Sequence, residues 1–323
     1  MQAMVIREWG GPEVLQPEQF PDPKVPAGHV VVELRASAVN WHDIIVRRVG
    51  RGFPLPRILG IDGAGLRRDN GEEVIIYPGL RWGGHDEAPG EGFEILGDIS
   101  PGTYAELVSV PEENVFPKPR ALSWEYAAAL PTAGITAYRA LFTRAQLRRG
   151  ETVLVLGAGG GVSTFAISLA AAAGARVVVS SSSPEKLARV RELGAAHGVL
   201  QSDENWPQQV RELTGGVDVV VDGVGSDLPD SLDCLRPGGR LVIFGASGGT
   251  TATLDVPRLY FIHASILATS LGSPRDFVEL LKSIEREEWR PVIDSTRPLD
   301  DVADAHRRME AREHFGKLVL SIA

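Results

Sequence analysis

Two kinds of hydrophobic pattern divide the chain near residue 120. Upstream, apolar residues come in short alternating runs, such as Val30 to Leu34 and Val74 to Tyr77, separated by glycines and by most of the chain's 22 prolines. Period-two alternation between turn residues predicts a β-rich, partly barrel-like domain. Two stretches read as helical, Trp41 to Val49 and Ser123 to Leu130. Pro131 is expected to interrupt or end the second, because it has no amide donor and clashes with the preceding turn.

From about Gly150 the pattern becomes strand, helix, strand, helix. ETVLVLG is an apolar strand, Val162 to Ala173 an alanine-rich helix ended by Gly174, and ARVVVSS the next strand. Ser183-Pro184-Glu185 opens a helix with serine as cap, proline in the first position and an acid in the first turn. Val217 to Val221, Arg240 to Gly245 and Ala264 to Ser270 read as further apolar strands. Near-continuous apolar strands between helices predict an α/β doubly wound parallel sheet, covered on both faces. The tail predicts helices over Arg275 to Glu287 and around Val302 to Arg312. It ends in a strand, KLVLSIA, able to return to the first domain.

With 323 residues the chain is long enough for two ordinary domains. Its formal charge of -9 disfavours nucleic acid as a partner, and a single cysteine, Cys234, excludes an internal disulfide or a site of several thiolates. Cys234 itself is expected to pack as a small hydrophobe. The amino terminus has no basic flank followed by an apolar tract, and the longest weakly polar stretch is too short for a bilayer. The expectation is a cytoplasmic protein acting on a small molecule, without a membrane.

The glycine loop is the strongest chemical signal. VLVLGAGGGVS puts Gly157, Gly159, Gly160 and Gly161 between a strand and a helix, with Val162 where a third spaced glycine would complete the usual pattern. Glycines there let the backbone turn tightly and approach a pyrophosphate, whose charge the helix amides stabilise. A tight structural turn is the alternative. The next strand ends in Ser180 to Ser183, without the carboxylate that would hold a ribose 2′-hydroxyl. The hydroxyls of Ser181 and Ser182, followed by Lys186 and Arg189, suit a 2′-phosphate and predict NADP(H). An exposed cap on a solvated helix is the rival reading.

ASAVNWHD, LGIDGAG, GTYAELVSVPEENVFPKP, AAALPTAGITAYRAL, the glycine loop, LRPGGRLVIFG and FGKLVLSIA occur in that order. With these the chain resembles the medium-chain dehydrogenase/reductase superfamily, in its zinc-independent quinone oxidoreductase-like branch. The resemblance implies a GroES-like catalytic domain (1–121), a Rossmann dinucleotide-binding domain (122–271) and a segment (272–323) completing the first, with an active cleft between the domains. It also implies a homodimer or homotetramer through the Rossmann domain, with the last sheet strand at the contact.

Where zinc relatives carry a cysteine ligand this chain has Asn40, and where they carry a histidine it has Ile61, which has no lone pair. The relatives' four-cysteine lobe would fall around Arg81 to Gly97, which holds no cysteine. The expected chemistry is therefore hydride transfer from NADPH to a quinone or activated enone without a metal. A metal-free enoyl-thioester reductase, a non-catalytic NADPH-binding protein and a zinc-type alcohol dehydrogenase are the alternatives.

By the resemblance, Asn40 and Asp43 fall near the nicotinamide and substrate, Asn40 as a donor to an acceptor oxygen and Asp43 orienting a neighbour. Helix capping is the alternative for both. Thr136 is expected beside the nicotinamide, one helical turn from Thr132, and Gly245 is a further cofactor position. Trp41 and Trp82 are candidate pocket walls, and Tyr138 a weaker one. Arg47, Arg48 and Arg51 form a basic cluster that steers an anion or simply faces solvent. The proton that follows the hydride is expected from solvent, with His42 as the rival donor.

Overall fold

A computed structural model describes every residue of the chain except Arg51, Asp227 and Glu288. The chain divides into two compact units, Met1–Ala133 with Ser273–Ala323, and Gly134–Gly272. Arg51, of the basic cluster, lies outside the described residues.

The first unit is built on strand His29–Ala38, in which alternate residues are buried, as a pleated strand with one face on a core requires. Strand Asp62–Arg67 pairs with it antiparallel, placing Asp62 opposite Ala38, and strand Lys317–Ser321 pairs along it with Val319 opposite Ala38. The sheet runs Val115–Pro117, Glu73–Ile76, Asp62–Arg67, His29–Ala38, Lys317–Ser321, Ile293–Pro298, and Leu107–Pro111 also pairs with the long strand. Three segments distant in sequence thus converge at the end of one strand.

Helix Trp41–Val49 follows immediately. The Asp43 carboxylate accepts from the Asn40 amide at 2.8 Å, and Gly50 ends the helix in the left-handed region at φ 68°. Helix Trp124–Ala129 begins at the Ser123 cap and stops at Leu130. Pro131 does interrupt the helical run, but it also opens the next helix, Pro131–Tyr138, where a missing amide costs nothing. Helix Pro274–Glu287 starts in a reciprocal cap: Asp276 accepts from the Ser273 amide at 2.9 Å, and Ser273 Oγ accepts from the Asp276 amide at 3.2 Å.

The second unit is a six-stranded parallel sheet, in the order Ala195–Leu200, Arg176–Ser181, Thr152–Val155, Val217–Asp222, Leu235–Ile243, Ser265–Ala268. In sequence rank this is 3-2-1-4-5-6, the Rossmann order, with its reversal beside Thr152–Val155. Its central strands are buried on both faces, which explains their continuous apolar runs. The third-ranked strand, Ala195–Leu200, has the weak pattern AAHGVL and escapes the period-two search. Cys234 is fully buried, where burial pushes its thiol well above the usual range, as inert packing requires. Among the described residues no helix is long and apolar enough to cross a membrane.

Phe277 docks the Pro274–Glu287 helix. It is fully buried, with its ring 5.6 Å from that of Tyr77 and 5.1 Å from that of Phe116. Phe277→Ala is expected to lower the unfolding free energy by about 3–5 kcal/mol in chemical denaturation, through lost contact and a residual cavity. A loss below about 1 kcal/mol would show that the helix docks by other means.

Candidate active site

The end of strand His29–Ala38 carries a buried ion pair. Lys317 and Asp62, 2% and 0% exposed, meet with Nζ 3.0 Å from Oδ2. The ammonium also donates to Asn40 Oδ1 at 2.7 Å and to the Val39 carbonyl at 3.0 Å, so its three protons have three acceptors. Asp62 Oδ2 accepts from Asn40 Nδ2 at 2.9 Å, and Oδ1 accepts from both the amide and the hydroxyl of Thr132, at 2.8 and 2.6 Å. The other Asn40 amide hydrogen goes to the Ala38 carbonyl. Lys317 and Asp62 therefore fix Asn40 and Thr132 together. With both amide hydrogens engaged inside the protein, the Asn40 side chain is a member of this network and not an idle donor.

Asp43 belongs to a second, contiguous chain. Its Oδ2 accepts from the Asn40 amide and from the Tyr104 hydroxyl at 3.0 Å. Tyr104 meets His306 Nε2 at 3.1 Å, and His306 Nδ1 faces the Arg47 guanidinium at 3.4 Å. A guanidinium can only donate, so Nδ1 is the acceptor and Nε2 carries the hydrogen that goes to Tyr104. Burial pushes the Asp43 carboxyl up to about 7, opposed by the Asn40 amide. Burial, reinforced by Arg47, holds His306 down to about 3. Arg47 in turn pairs with Glu310, which also binds Arg48, so two members of the basic cluster share one acid.

His42, on the same helical turn, is only partly buried, and its Nε2 lies 2.7 Å from Asp98 Oδ1. Trp82 is buried, edge-on to Phe93, with its Nε1 donating to the His85 carbonyl at 2.9 Å. Trp41 packs against the core of its unit.

In the second unit, Gly157 takes φ 76° and Gly159 φ 96°, conformations that favour glycine. The Gly157 and Ala158 amides donate to the Ser180 carbonyl, joining the glycine loop to the end of the next strand. A Cβ on Gly157 would meet nothing within 4 Å, so the loop presents open space. Gly160 precedes helix Gly161–Ala172 with no side chain capping it, which leaves the first amides, from Gly161 and Val162 onward, to an external acceptor. Among the described residues the buried Ser180 hydroxyl has no partner. Open loop, uncapped helix and orphaned hydroxyl fit a dinucleotide.

Ser181 Oγ accepts from the Ser183 amide, while Ser183 Oγ donates to Glu185 and accepts from the Lys186 amide. Ser182 is exposed and Lys186 half-buried. Gly245 is tightly packed, since a Cβ would come 2.9 Å from the Gly223 carbonyl. Asp222 Oδ1 holds the Val224 and Gly225 amides at 2.7 and 3.1 Å. Thr136 lies on helix Pro131–Tyr138 and is 5% exposed; Tyr138 stacks at a tilt on Phe142.

Residues 26–120 match the family model described as the alcohol dehydrogenase GroES-like domain, and residues 161–286 the one described as zinc-binding dehydrogenase. A zinc-type alcohol dehydrogenase-like protein of Schizosaccharomyces pombe is 34% identical, over 99% of this chain and 98% of its own length. The chain belongs to the medium-chain dehydrogenase/reductase superfamily. Another relative in this superfamily, a quinone oxidoreductase of Pseudomonas aeruginosa, is also 34% identical, over 97% of each chain. The crystal structure of an NAD-dependent alcohol dehydrogenase matches with a TM-score of 0.94 and 38% identity, covering 100% of both chains. This medium-chain dehydrogenase/reductase is an NAD(P)H-dependent oxidoreductase with a GroES-like domain and a Rossmann domain.

The zinc in the family description does not fit this superfamily member's residues. Asn40 is saturated by Lys317, Asp62 and Ala38, Ile61 is an apolar side chain 1% exposed, and an ammonium already neutralises the adjacent carboxylate. Among the described residues no group of three or more His, Cys, Asp or Glu side chains is placed to hold a metal ion.

Sequence reasoning overlooked Lys317, Asp62, Tyr104, His306, Asp98 and Asp222 as site-building groups. Lys317 and Asp62 did carry a signal. Each is a charge inside an apolar or glycine-rich strand motif, where burial demands a partner.

The two shifted groups pull stability in opposite directions with pH. Asp43 keeps its proton in the folded chain up to about 7, so its contribution is full below the unfolded value near 4 and is lost as pH rises through about 7. His306 stays neutral down to about 3, so its contribution is full above roughly 6.5 and is lost as pH falls through about 3. Denaturation between about pH 4 and 6.5 is expected to separate them. Relative to wild type, Asp43→Asn should lose stability more steeply on acidification and His306→Gln less steeply. Parallel profiles for all three would refute these titrations.

Proposed function

We propose that this oxidoreductase is NADPH-dependent and reduces a quinone or an activated enone without a metal. The observation that carries the reading is the Lys317–Asp62–Asn40 set, in which a saturated ammonium engages Asn40, the residue that by the resemblance stands where zinc relatives carry a ligand. An ammonium has no vacant orbital to accept a carbonyl lone pair, so the acceptor must need little Lewis-acid help. Quinones meet that demand, because hydride addition leaves an aromatic hydroquinone anion. An activated enone meets it by spreading charge from carbon to oxygen. When bound, the reduced nicotinamide supplies the hydride.

The chain's own residues do the holding. Gly157, Gly159, Gly160, Gly161 and Val162 offer backbone amides and space to the pyrophosphate, with Gly245 allowing close packing at a neighbouring loop. Ser181, Ser182 and Lys186 surround the 2′-phosphate, a reading supported by the lack of a carboxylate at the end of strand Arg176–Ser181. Thr132 and Thr136 serve the nicotinamide side, Thr132 oriented by Asp62. Asn40 and Asp43 shape the acceptor side, and Asp43 also steadies the helix that carries His42.

Strand Ser265–Ala268 is an exposed sheet edge, and Val256, Tyr260 and Phe261 nearby are 62%, 58% and 74% exposed. These features support a homodimer, or a homotetramer built from it, through the Rossmann unit. Light scattering should give a mass of two or four chains, and Phe261→Glu with Ile266→Lys should reduce it; a wild-type monomer refutes the assembly.

Protein purified with a chelator is expected to reduce 1,4-benzoquinone with NADPH and to contain no stoichiometric zinc. Fluorescence titration should show tighter binding of NADPH than of NADH, with Lys186→Ala weakening NADPH selectively. Activity that tracks one zinc per chain would overturn the metal-free reading, and equal affinities would overturn the cofactor preference.

A further inference from the structure

We infer that His42, oriented by Asp98, is the proton donor to the oxyanion left on the reduced acceptor. The inference rests on the reading above and replaces solvent as the expected source. Its ground is a loop whose buried charges are committed to holding one carboxylate in place.

Asp98 lies in the loop after the short strand Glu94–Ile95. Glu94, 4% exposed, accepts from the Ile99 amide at 3.2 Å and from the Ser100 amide, and pairs with Arg81. Arg57, also 4% exposed, donates to the Gly97 carbonyl at 3.1 Å, and the Asp98 amide donates to the Ile95 carbonyl at 3.0 Å. The backbone on both sides of Asp98 is thus pinned by buried charged side chains, whose burial is offset by the bonds they make there. The carboxylate so placed meets His42 Nε2 at 2.7 Å.

The other ionisable groups around the Asn40 turn are occupied. Asp43 Oδ2 takes two hydrogen bonds, Tyr104 bridges Asp43 and His306, and Lys317 has spent all three protons. His42 differs. Its side chain is 21% exposed, and among the described residues its Nδ1 has no hydrogen-bond partner. A histidine held by a carboxylate through one ring nitrogen and open at the other is arranged to pass a proton through the open one.

The step balances without a further reactant. Once hydride has been added, the acceptor carries an oxyanion. The Nδ1–H bond of the imidazolium breaks and an O–H bond forms, giving the hydroquinone or enol. Neutral imidazole remains, with Nε2–H donated to Asp98, and regains its Nδ1 proton from the solvent that His42 touches. The charges bearing on His42 are Asp98 from the loop and Asp43 on its own helix, with Arg57 and Glu94 behind Asp98.

The proton leaves from the His42 ring itself, so the step requires that ring, held by Asp98. The test compares wild type, His42→Gln and Asp98→Asn at saturating NADPH with 1,4-benzoquinone, after thermal melts confirm folding. His42→Gln is expected to lower kcat at least tenfold and change KM less than threefold. Asp98→Asn, which keeps the ring but loses the carboxylate that orients it, should lower kcat by less than His42→Gln does. A second readout needs no turnover: binding of p-nitrophenolate, an oxyanion followed by its visible absorbance, should weaken at least fivefold in His42→Gln. Wild-type turnover and unchanged nitrophenolate binding in His42→Gln overturn the donor and leave the quinone reading standing. A wild type that reduces neither benzoquinone nor cyclohexenone overturns both.

Discussion

The pairing of Lys317 with Asp62 is the constraint around which the first unit is arranged. It joins the last strand of the chain to strand Asp62–Arg67, and through Asp62 to the first turn of the helix that starts at Pro131. Each charge would be expensive alone at 0–2% exposure, so neither can be satisfied until both strands are in register. Ion pairs of this depth add little net stability over apolar packing, but removing one partner costs about 3–5 kcal/mol. Here the pair purchases position: Asn40 and Thr132 have fixed orientations because it exists.

The same pair organises its neighbours by a different means from a metal ion. A divalent ion organises its neighbours by accepting lone pairs, whereas an ammonium organises them by donating hydrogens. Lys317 gathers a carboxylate, an amide oxygen and a backbone carbonyl. It reproduces the gathering without the Lewis acidity.

What the sequence made legible follows the range of the interactions involved. Helix Trp41–Val49 was legible because Asn40, Asp43 and Gly50 are its local caps. The central Rossmann strands were legible because burial on both faces writes continuous apolar runs. Ala195–Leu200 was not, because an edge strand bearing Ala, His and Gly lacks either signature. Glycine-loop geometry could be read from composition, since positive φ at Gly157 and Gly159 is a local demand. Tyr104 with His306, 202 residues apart, and His42 with Asp98, 56 apart, leave no periodic trace. Only the oddity of a charge in an apolar motif, as at Lys317, hints at such long-range partners.

The 255 residues separating Asp62 from Lys317 also set an order on synthesis. At a translation rate of roughly 5–20 residues per second, the carboxylate waits about 13–50 s for its ammonium. The whole of Gly134–Gly272 emerges in that interval. That unit contains all of its own sheet and can close while the first unit still lacks strand Lys317–Ser321. The Rossmann sheet can therefore be complete before the first unit gains its last strand.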